Sequence, residues 1–161
     1  MTDTSTPLET GQIAPDFTLP ATGWDQPEVT LSALRGRAVV LYFYPRDDTP
    51  GCTTEALDFT AALPRLHAAG AEVFGISTDD PASHARFIAK RDLAVPLLSD
   101  TDSAVAQAYC AWVEKNMYGR KSMGVERRTV LIDADGRIVR LWPKVKVPGH
   151  VDSVVEAVES L

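Results

Sequence analysis

A cysteine follows a threonine by three residues in a turn that joins an apolar segment to a helical one. The segment AVVLYF at residues 38–43 is rich in β-branched and aromatic side chains, which predicts a strand buried on both faces. Pro45 ends this strand, and residues 47–51 contain the turn-forming types Asp, Pro and Gly. After Cys52 the sequence has helical periodicity, with apolar side chains at Ala56, Phe59, Leu63 and Leu66. Cys52 is therefore predicted in the first turn of a helix.

A thiol at the start of a helix is a candidate nucleophile. The first backbone N–H groups of a helix have no partner within it, and the positive end of the helix dipole favours an ionised thiol. Thr49 offers a hydroxyl that can donate to an incoming oxygen while accepting from elsewhere. The alternative is that Cys52 is an inert small residue packed under the helix and Thr49 a turn or cap residue. The strand, proline turn and helix start together favour the nucleophile.

The residues around Cys52 resemble the active-site signature of the peroxiredoxins. The signature reads Pro45-x-x-x-Thr49-x-x-Cys52, and the longer string at residues 42–55 is similar to the peroxiredoxin Q, or bacterioferritin comigratory protein, branch. Further similar segments lie at residues 11–19, 98–100, 114–121 and 131–133, and at Arg127. The resemblance covers nearly the whole chain, about residues 10–161.

The resemblance implies a thioredoxin-like fold and a thiol-dependent peroxidase. Its substrate would be hydrogen peroxide or an organic hydroperoxide, reduced while Cys52 becomes a sulfenic acid. Thr49 and Pro45 would complete the site with Arg127, whose guanidinium would stabilise the thiolate and the leaving oxygen. From the residues alone, Arg127 and Arg128 read equally well as exposed cations at a strand end. The family pattern selects Arg127 and assigns no role to Arg128.

The sequence departs from the branch because it lacks the usual cysteine that resolves the sulfenic acid. Many members carry a second cysteine five residues after the first, but that position here is Leu57. The other cysteine, Cys110, matches no motif for a resolving thiol, and it is either a free thiol without a function or the resolving partner. We therefore expect a one-cysteine cycle, in which thioredoxin, a glutaredoxin or a small thiol attacks the oxidised Cys52.

Composition limits the other functions that the chain can have. The formal net charge of −6 leaves no basic surplus for phosphates, which disfavours nucleic-acid binding, and no apolar run approaches 18 residues, which disfavours a membrane span. Two cysteines and no recognisable export signal indicate a reducing, cytoplasmic location. No residues have metal-ligand spacing, so neither a metal nor another cofactor is predicted. The protein is expected to be a monomer or a weak dimer.

The order of the predicted elements favours one α/β domain at residues 10–161, with a flexible tail at residues 1–9. The strands at residues 38–43 and 73–77 flank the Cys52 helix, which predicts a parallel β-α-β unit within a mixed sheet that has helices on both faces. Residues 130–142 read as a hairpin. A helix in which valines recur three or four residues apart ends the chain.

Three further local predictions concern the middle of the chain. A helix over about residues 83–91 is expected to place His84, Lys90 and Arg91 on a solvated face. Residues 101–103 are expected to cap the next helix, and residues 114–124 to form a polar loop.

Two other classes of protein would suit the same fold. A thiol-disulfide oxidoreductase normally carries Cys-x-x-Cys, but residue 55 is Glu. A redox-responsive binding or chaperone protein without peroxidase turnover would leave Thr49 and Arg127 without a purpose. The peroxidase is therefore the favoured function.

Overall fold

The structure is a computed structural model that describes residues 8–161, and its main feature is a mixed β-sheet. The strands are β1 (Thr18–Thr22), β2 (Glu28–Thr30), β3 (Ala38–Phe43), β4 (Ala71–Ser77), β5 (Leu97–Ser99), β6 (Trp112–Met117), β7 (Arg120–Val125), β8 (Arg128–Ile132) and β9 (Ile138–Trp142). The helices are α1 (Pro50–Ala68), α2 (Pro81–Arg91), α3 (Ala104–Ala108) and α4 (His150–Glu159), with a 3-10 turn at Leu31–Leu34. Seven strands form the main sheet in the order β2-β1-β5-β4-β3-β8-β9.

Strand β3 lies inside this sheet, as its apolar sequence predicts. All six of its residues are buried, and it pairs in parallel with β4 and antiparallel with β8. Val40 and Tyr42 pack into the core that holds α1, α2 and α4, whereas Leu41 and Phe43 pack into the core on the opposite face, which holds α3. The predicted β-α-β unit and the helices on both faces are confirmed.

Helix α1 begins where the sequence predicts. Thr49 is its N-cap, Pro50 occupies the first helical position, and Cys52 follows within the first turn. The helix ends at the predicted stop, where the N–H of Ala69 bonds back to Arg65 and Gly70 adopts φ 87°. This helix packs against α4 and β4, so its first turn sits on a rigid support at the carboxyl end of β3.

Strand β4 approaches the aromatic side chains of this core closely. A Cβ built at Gly75 would lie 2.7 Å from Cζ of Tyr42 and 2.9 Å from Cδ2 of Leu97. Glycine at this position lets the Tyr42 ring stack on Phe59 of α1, with ring centroids 4.5 Å apart. The stack fixes α1 against the sheet about two turns beyond Cys52.

The prediction of a polar loop at residues 114–124 is wrong. Strands β6 and β7 pair there as a separate two-stranded sheet. Its connection, Tyr118-Gly119, has positive φ at both residues, as in the primed turns of two-residue hairpins. The sequence lacks the usual Asn-Gly or Asp-Gly signal for such a turn, and the strands are largely exposed, so neither turn chemistry nor apolar alternation marked them.

One smaller expectation, the cap of α3, is also corrected. Asp100, rather than residues 101–103 alone, caps the start of α3, because its carboxylate accepts from the N–H groups of Val105 and Ala106. The predicted tail at residues 1–9 lies mostly outside the described residues. Within residues 8–161, no helix combines the length and the apolar character needed to cross a membrane.

Candidate active site

Cys52 lies at the carboxyl end of β3, where the chain turns into α1. Only 1% of its surface is exposed, so its sulfur faces the protein rather than solvent. The turn before it contains Asp48 in the left-handed region, at φ 57°, a conformation that Asp tolerates better than most residues. The first turn of α1 directs backbone N–H groups towards this end of the helix. Cys52 therefore occupies the predicted anion-stabilising position.

Arg127 reaches Cys52 from the neighbouring strand. It immediately precedes β8, which pairs with β3 so that Arg128 lies opposite Phe43. Nη2 of Arg127 donates to Sγ of Cys52 at 3.3 Å. A Cβ at Gly51 would lie 3.2 Å from the same nitrogen, so the glycine leaves room for the guanidinium against the helix start. The structure thus brings Arg127 to the sulfur, as expected.

Glu55 completes a chain of three groups that the sequence did not reveal. It follows Cys52 by three residues on α1, is 0% exposed, and accepts from Nη1 of Arg127 at 2.7 Å through Oε1. Its Oε2 has no hydrogen-bond partner among the described residues. Burial raises the pKa of Glu55 to about 7, although the charge of Arg127 and its hydrogen bond oppose this shift. Arg127 therefore stands between a buried carboxyl group and the thiol.

The two terminal nitrogens of the guanidinium have different partners, and both partners affect the pKa of Arg127. Burial alone would lower the pKa of Arg127, but the charge of Glu55 and the hydrogen bond to Cys52 raise it above its ordinary value. The guanidinium remains charged and directs one N–H group at the sulfur. Arg128, to which the sequence assigns no role, instead contacts Glu126 at 3.4 Å.

Thr49 lies near the thiol at the start of α1, but its hydrogen bond differs from the expected one. Its Oγ1 donates to the carbonyl oxygen of Arg46 at 3.0 Å and makes no capping bond to the helix. The hydroxyl proton is therefore engaged within the turn, and its lone pairs are open to accept from an incoming O–H group. Pro45 lies half-buried in the bend between β3 and α1, where it ends the strand as predicted.

The prediction that His84 lies on a solvated face is wrong. His84 is fully buried on the inner side of α2 and contacts Asp47, which belongs to the turn before Cys52. Lys90 and Arg91 do lie on the outer face, where both contact Asp48. The helical spacing of His84 from Phe87 and Ile88, the predicted core side of α2, was the signal that could have identified it.

The two cysteines lie on different sides of the sheet. Cys52 belongs to the core that holds α1, whereas Tyr109 and Ala111, the neighbours of Cys110, belong to the core on the other face. Neither cysteine forms a disulfide in the structure, and Cys110 adopts φ 60° just after α3. Leu57, at the position of the absent local thiol, is 42% exposed on α1.

Comparison with known proteins identifies similar chains along the whole molecule. The model of the AhpC/TSA family matches residues 10–141. A peroxiredoxin Bcp of Xanthomonas campestris is 47% identical, with 88% of this chain and 93% of that protein covered, and a putative peroxiredoxin bcp of Coxiella burnetii is 50% identical, with 92% and 97% covered.

Solved structures give the same result for the fold. A structure of the Xanthomonas campestris bacterioferritin comigratory protein, reported in connection with its alkyl peroxide reduction activity, has a TM-score of 0.84 at 46% identity and covers 89% of this chain and 90% of its own. A structure of a Xylella fastidiosa PrxQ variant has a TM-score of 0.89 at 37% identity, with 97% and 98% covered. The thioredoxin-like fold expected from the sequence is confirmed.

Replacing Glu55 by Gln should change how stability depends on pH. Because the pKa of Glu55 in the folded protein lies above its ordinary value of 4.5, the stability that its protonation contributes is complete below about pH 4.5 and is lost as the pH rises through about 7. Glutamine does not ionise, so the free energy of unfolding of the wild type relative to Glu55→Gln should fall by roughly 3 kcal/mol over this range, at about 1.4 kcal/mol per pH unit. Urea denaturation at a series of pH values measures the difference, and a constant difference would contradict it.

Proposed function

The chain belongs to the AhpC/TSA family and is a peroxiredoxin of the Bcp type, which makes it a thiol peroxidase. From this premise we propose that Cys52 is the thiol that reduces the peroxide. The observation that carries this proposal is the 3.3 Å contact between Sγ of Cys52 and Nη2 of Arg127 at the start of α1. A buried sulfur that receives a charged donor at a helix N-terminus is favoured as an anion, which is the form that attacks a peroxide.

The proposed reaction is a two-electron transfer at the sulfur. The Cys52 thiolate attacks one oxygen of the peroxide, so that an S–O bond forms while the O–O bond breaks. The other oxygen leaves with the bonding pair, takes up a proton and departs as water or an alcohol. Cys52 is thereby oxidised to a sulfenic acid and the peroxide is reduced.

Each neighbouring group has a separate task in this step. Arg127 stabilises the negative charge that moves from sulfur to the leaving oxygen, because its guanidinium already lies beside the sulfur and remains charged. The hydroxyl of Thr49, whose proton is engaged by Arg46, accepts the O–H of hydrogen peroxide or a hydroperoxide and orients it. Pro45 ends β3 and sets the direction of the turn that carries both residues.

Recycling of the sulfenic acid needs a thiol from outside the site. No cysteine stands at Leu57, and Cys110 lies on the other face of the sheet, so neither offers a nearby sulfur. We favour a one-cysteine cycle with thioredoxin, a glutaredoxin or a small thiol as the reductant. Because Cys52 is 1% exposed, the first turn of α1 must open before such a thiol can reach it.

The domain organisation, oligomeric state, partners and cellular location of the enzyme remain predictions. Residues 10–161 are expected to act as one domain, and the protein as a monomer or weak dimer without nucleic-acid or membrane partners. A chain with two cysteines, too few for a disulfide framework, fits a reducing compartment such as the cytoplasm.

Substituting Cys52 by Ser should abolish peroxide turnover, because a serine hydroxyl is not ionised at neutral pH. The matched control is Cys110→Ser, which should retain reductant-supported activity. Peroxide consumption with thioredoxin and its reductase, or with dithiothreitol, measures both. Turnover in Cys52→Ser would rule out the assigned nucleophile. A quantitative Cys52–Cys110 disulfide after one equivalent of peroxide, with loss of thioredoxin-supported turnover in Cys110→Ser, would overturn the one-cysteine cycle.

Removing Arg127 should slow the chemical step even when the thiol is fully ionised. Loss of one preorganised donor typically lowers a rate by about a hundredfold to a thousandfold. Because Arg127→Ala alone would leave the Glu55 carboxyl buried without its partner, the variant is best made together with Glu55→Gln and compared with Glu55→Gln alone. Stopped-flow oxidation of Cys52 across a pH series measures the rate. Full recovery at high pH would show that Arg127 acts only on ionisation of the thiol.

The absence of a local resolving thiol should make the enzyme sensitive to excess peroxide. A sulfenic acid that persists meets a second peroxide and becomes a sulfinic acid, which is generally irreversible. We expect activity to decay during turnover at high peroxide, with two oxygens added to Cys52 by mass spectrometry, and abundant reductant to prevent this.

The variant Leu57→Cys restores a thiol at the local position, and it should form a disulfide with Cys52 and resist inactivation. Leu57→Ser serves as its control. Equal inactivation of both variants, with no disulfide in Leu57→Cys, would contradict this account of the sensitivity.

A further inference from the structure

We propose that His84 is a positioning residue for the peroxidase reaction, and that it acts through Asp47 on the turn that carries Thr49 and Cys52. The inference rests on the proposed function, since it concerns the same thiol. His84 lies on α2, outside the sequence signature around Cys52, and its hydrogen bonds go to Asp47, Tyr44 and Leu98 rather than to the sulfur. Its effect is transmitted by a buried hydrogen-bond network, each part of which can be followed in the structure.

Both ring nitrogens of His84 are engaged. Nε2 lies 3.0 Å from the carbonyl oxygen of Leu98, which can only accept, so this nitrogen carries a proton. Nδ1 lies 2.7 Å from Oδ2 of Asp47. The Asp47 carboxylate also accepts from the hydroxyl groups of Tyr44 at 2.6 Å and Ser83 at 2.8 Å. A proton must lie between Nδ1 and Asp47, because two acceptors would otherwise face each other at hydrogen-bond distance.

The hydrogen bonds around Asp47 stabilise its carboxylate. Burial alone would raise the pKa of Asp47, but the hydrogen bonds from His84 and Tyr44 lower it below its ordinary value. Asp47 is therefore the acceptor of the bonds from His84, Tyr44 and Ser83. Tyr44 also approaches Nδ1 at 3.5 Å, and Asp79 supplies a second carboxylate close by. This pair is buried, with 0% of the His84 side chain and 5% of the Asp47 side chain exposed, so removal of His84 deprives a buried carboxylate of one of its donors.

Asp47 transmits its position to Thr49 through one peptide group. The Arg46–Asp47 peptide donates its N–H to Oδ2 of Asp79 at 2.8 Å, and its carbonyl oxygen accepts from the hydroxyl of Thr49 at 3.0 Å. The side chain of Asp47 is held by His84, so the plane of this peptide is fixed from both ends. The plane in turn determines where the Thr49 hydroxyl points, three residues before Cys52. A displacement of about 1 Å at a reacting group can cost about a hundredfold in rate.

The alternative is that these side chains bind a metal ion. Donor atoms of Asp47, Asp79 and His84 lie within 4.8 Å of one another. However, each of the three side chains already bonds to protein groups, including the Ser77 hydroxyl on Asp79 and the Leu98 carbonyl on His84. An ion would have to displace these bonds, so the arrangement favours a positioning network.

Two substitutions at His84 separate its two hydrogen bonds. The amide nitrogen of Asn can take the place of Nδ1, so His84→Asn keeps a donor to Asp47 and loses the bond to Leu98. The amide nitrogen of Gln can take the place of Nε2, so His84→Gln keeps the bond to Leu98 and loses the donor to Asp47. We expect His84→Gln to slow oxidation of Cys52 by hydrogen peroxide about tenfold to a hundredfold, and His84→Asn to retain most of the rate.

Stopped-flow oxidation measures these rates, and alkylation of Cys52 by iodoacetamide at the same pH is the control for simple loosening. A positioning role lowers the peroxide rate and leaves alkylation unchanged, whereas loosened packing exposes the buried sulfur and speeds alkylation. Should His84→Gln fail to fold, Tyr44→Phe and Ser83→Ala each remove one other donor to Asp47 while His84 stays in place, and each should slow peroxide oxidation without faster alkylation.

The possible failures are distinguishable. If the wild type shows no Cys52-dependent reaction with peroxide, the proposed peroxidase assignment of Cys52 fails. If the wild type reacts but His84→Gln matches it, or His84→Asn is the slower of the two variants, then only the positioning role of His84 is overturned.

Discussion

The site depends on a single guanidinium that is shared between a thiol and a buried carboxyl group. Arg127 donates to Cys52 through one nitrogen and to Glu55 through the other. The shared cation favours negative charge on either neighbour, but both neighbours cannot be fully compensated at once by one positive charge. The pKa of Glu55 is raised to about 7 because burial opposes its charge more strongly than Arg127 favours it. The charge state of Glu55 therefore decides how much of the field of Arg127 is left for the sulfur.

Two buried histidines near the site have different partners. His84 contacts the Asp47 carboxylate through Nδ1 and the Leu98 carbonyl oxygen through Nε2. His150 contacts the hydroxyl of Thr129 at 2.8 Å, and burial together with the charges of Arg127 and Arg140 lowers its pKa to about 4. His150 is thus neutral at physiological pH and adds no charge near Arg127. The charged groups around the thiol therefore include Arg127, Glu55 and Lys115, together with the helix start.

The sequence predicts the scaffold of the site better than its electrostatic details. The apolar run of β3, the proline turn and the periodicity of α1 are local signals, and they placed Cys52 in the first helical turn. The partners of Arg127 and His84 arise from tertiary packing between elements distant in the chain, which periodicity does not report. Arg127 was selected only by a family pattern. Glu55 was noted as the last residue of the family string and as the residue that excludes Cys-x-x-Cys, without a partner or a role. His84 was expected on a polar face because charged residues follow it. The β6–β7 hairpin was missed because its Tyr-Gly turn carries no strong turn signal.

Burial of the sulfur favours its interaction with Arg127 but hinders recycling by an outside thiol. Exclusion of water around Cys52 strengthens its interaction with Arg127, yet a protein thiol cannot reach a sulfur that is 1% exposed. The contacts of the two adjacent aspartates in the turn before the thiol differ in strength. Asp47 is held by a buried network, whereas the contacts of Asp48 to Lys90 and Arg91 are exposed and contribute little to stability. Because the contacts of Asp48 are weaker than those of Asp47, we expect opening of the turn for recycling to begin at Asp48.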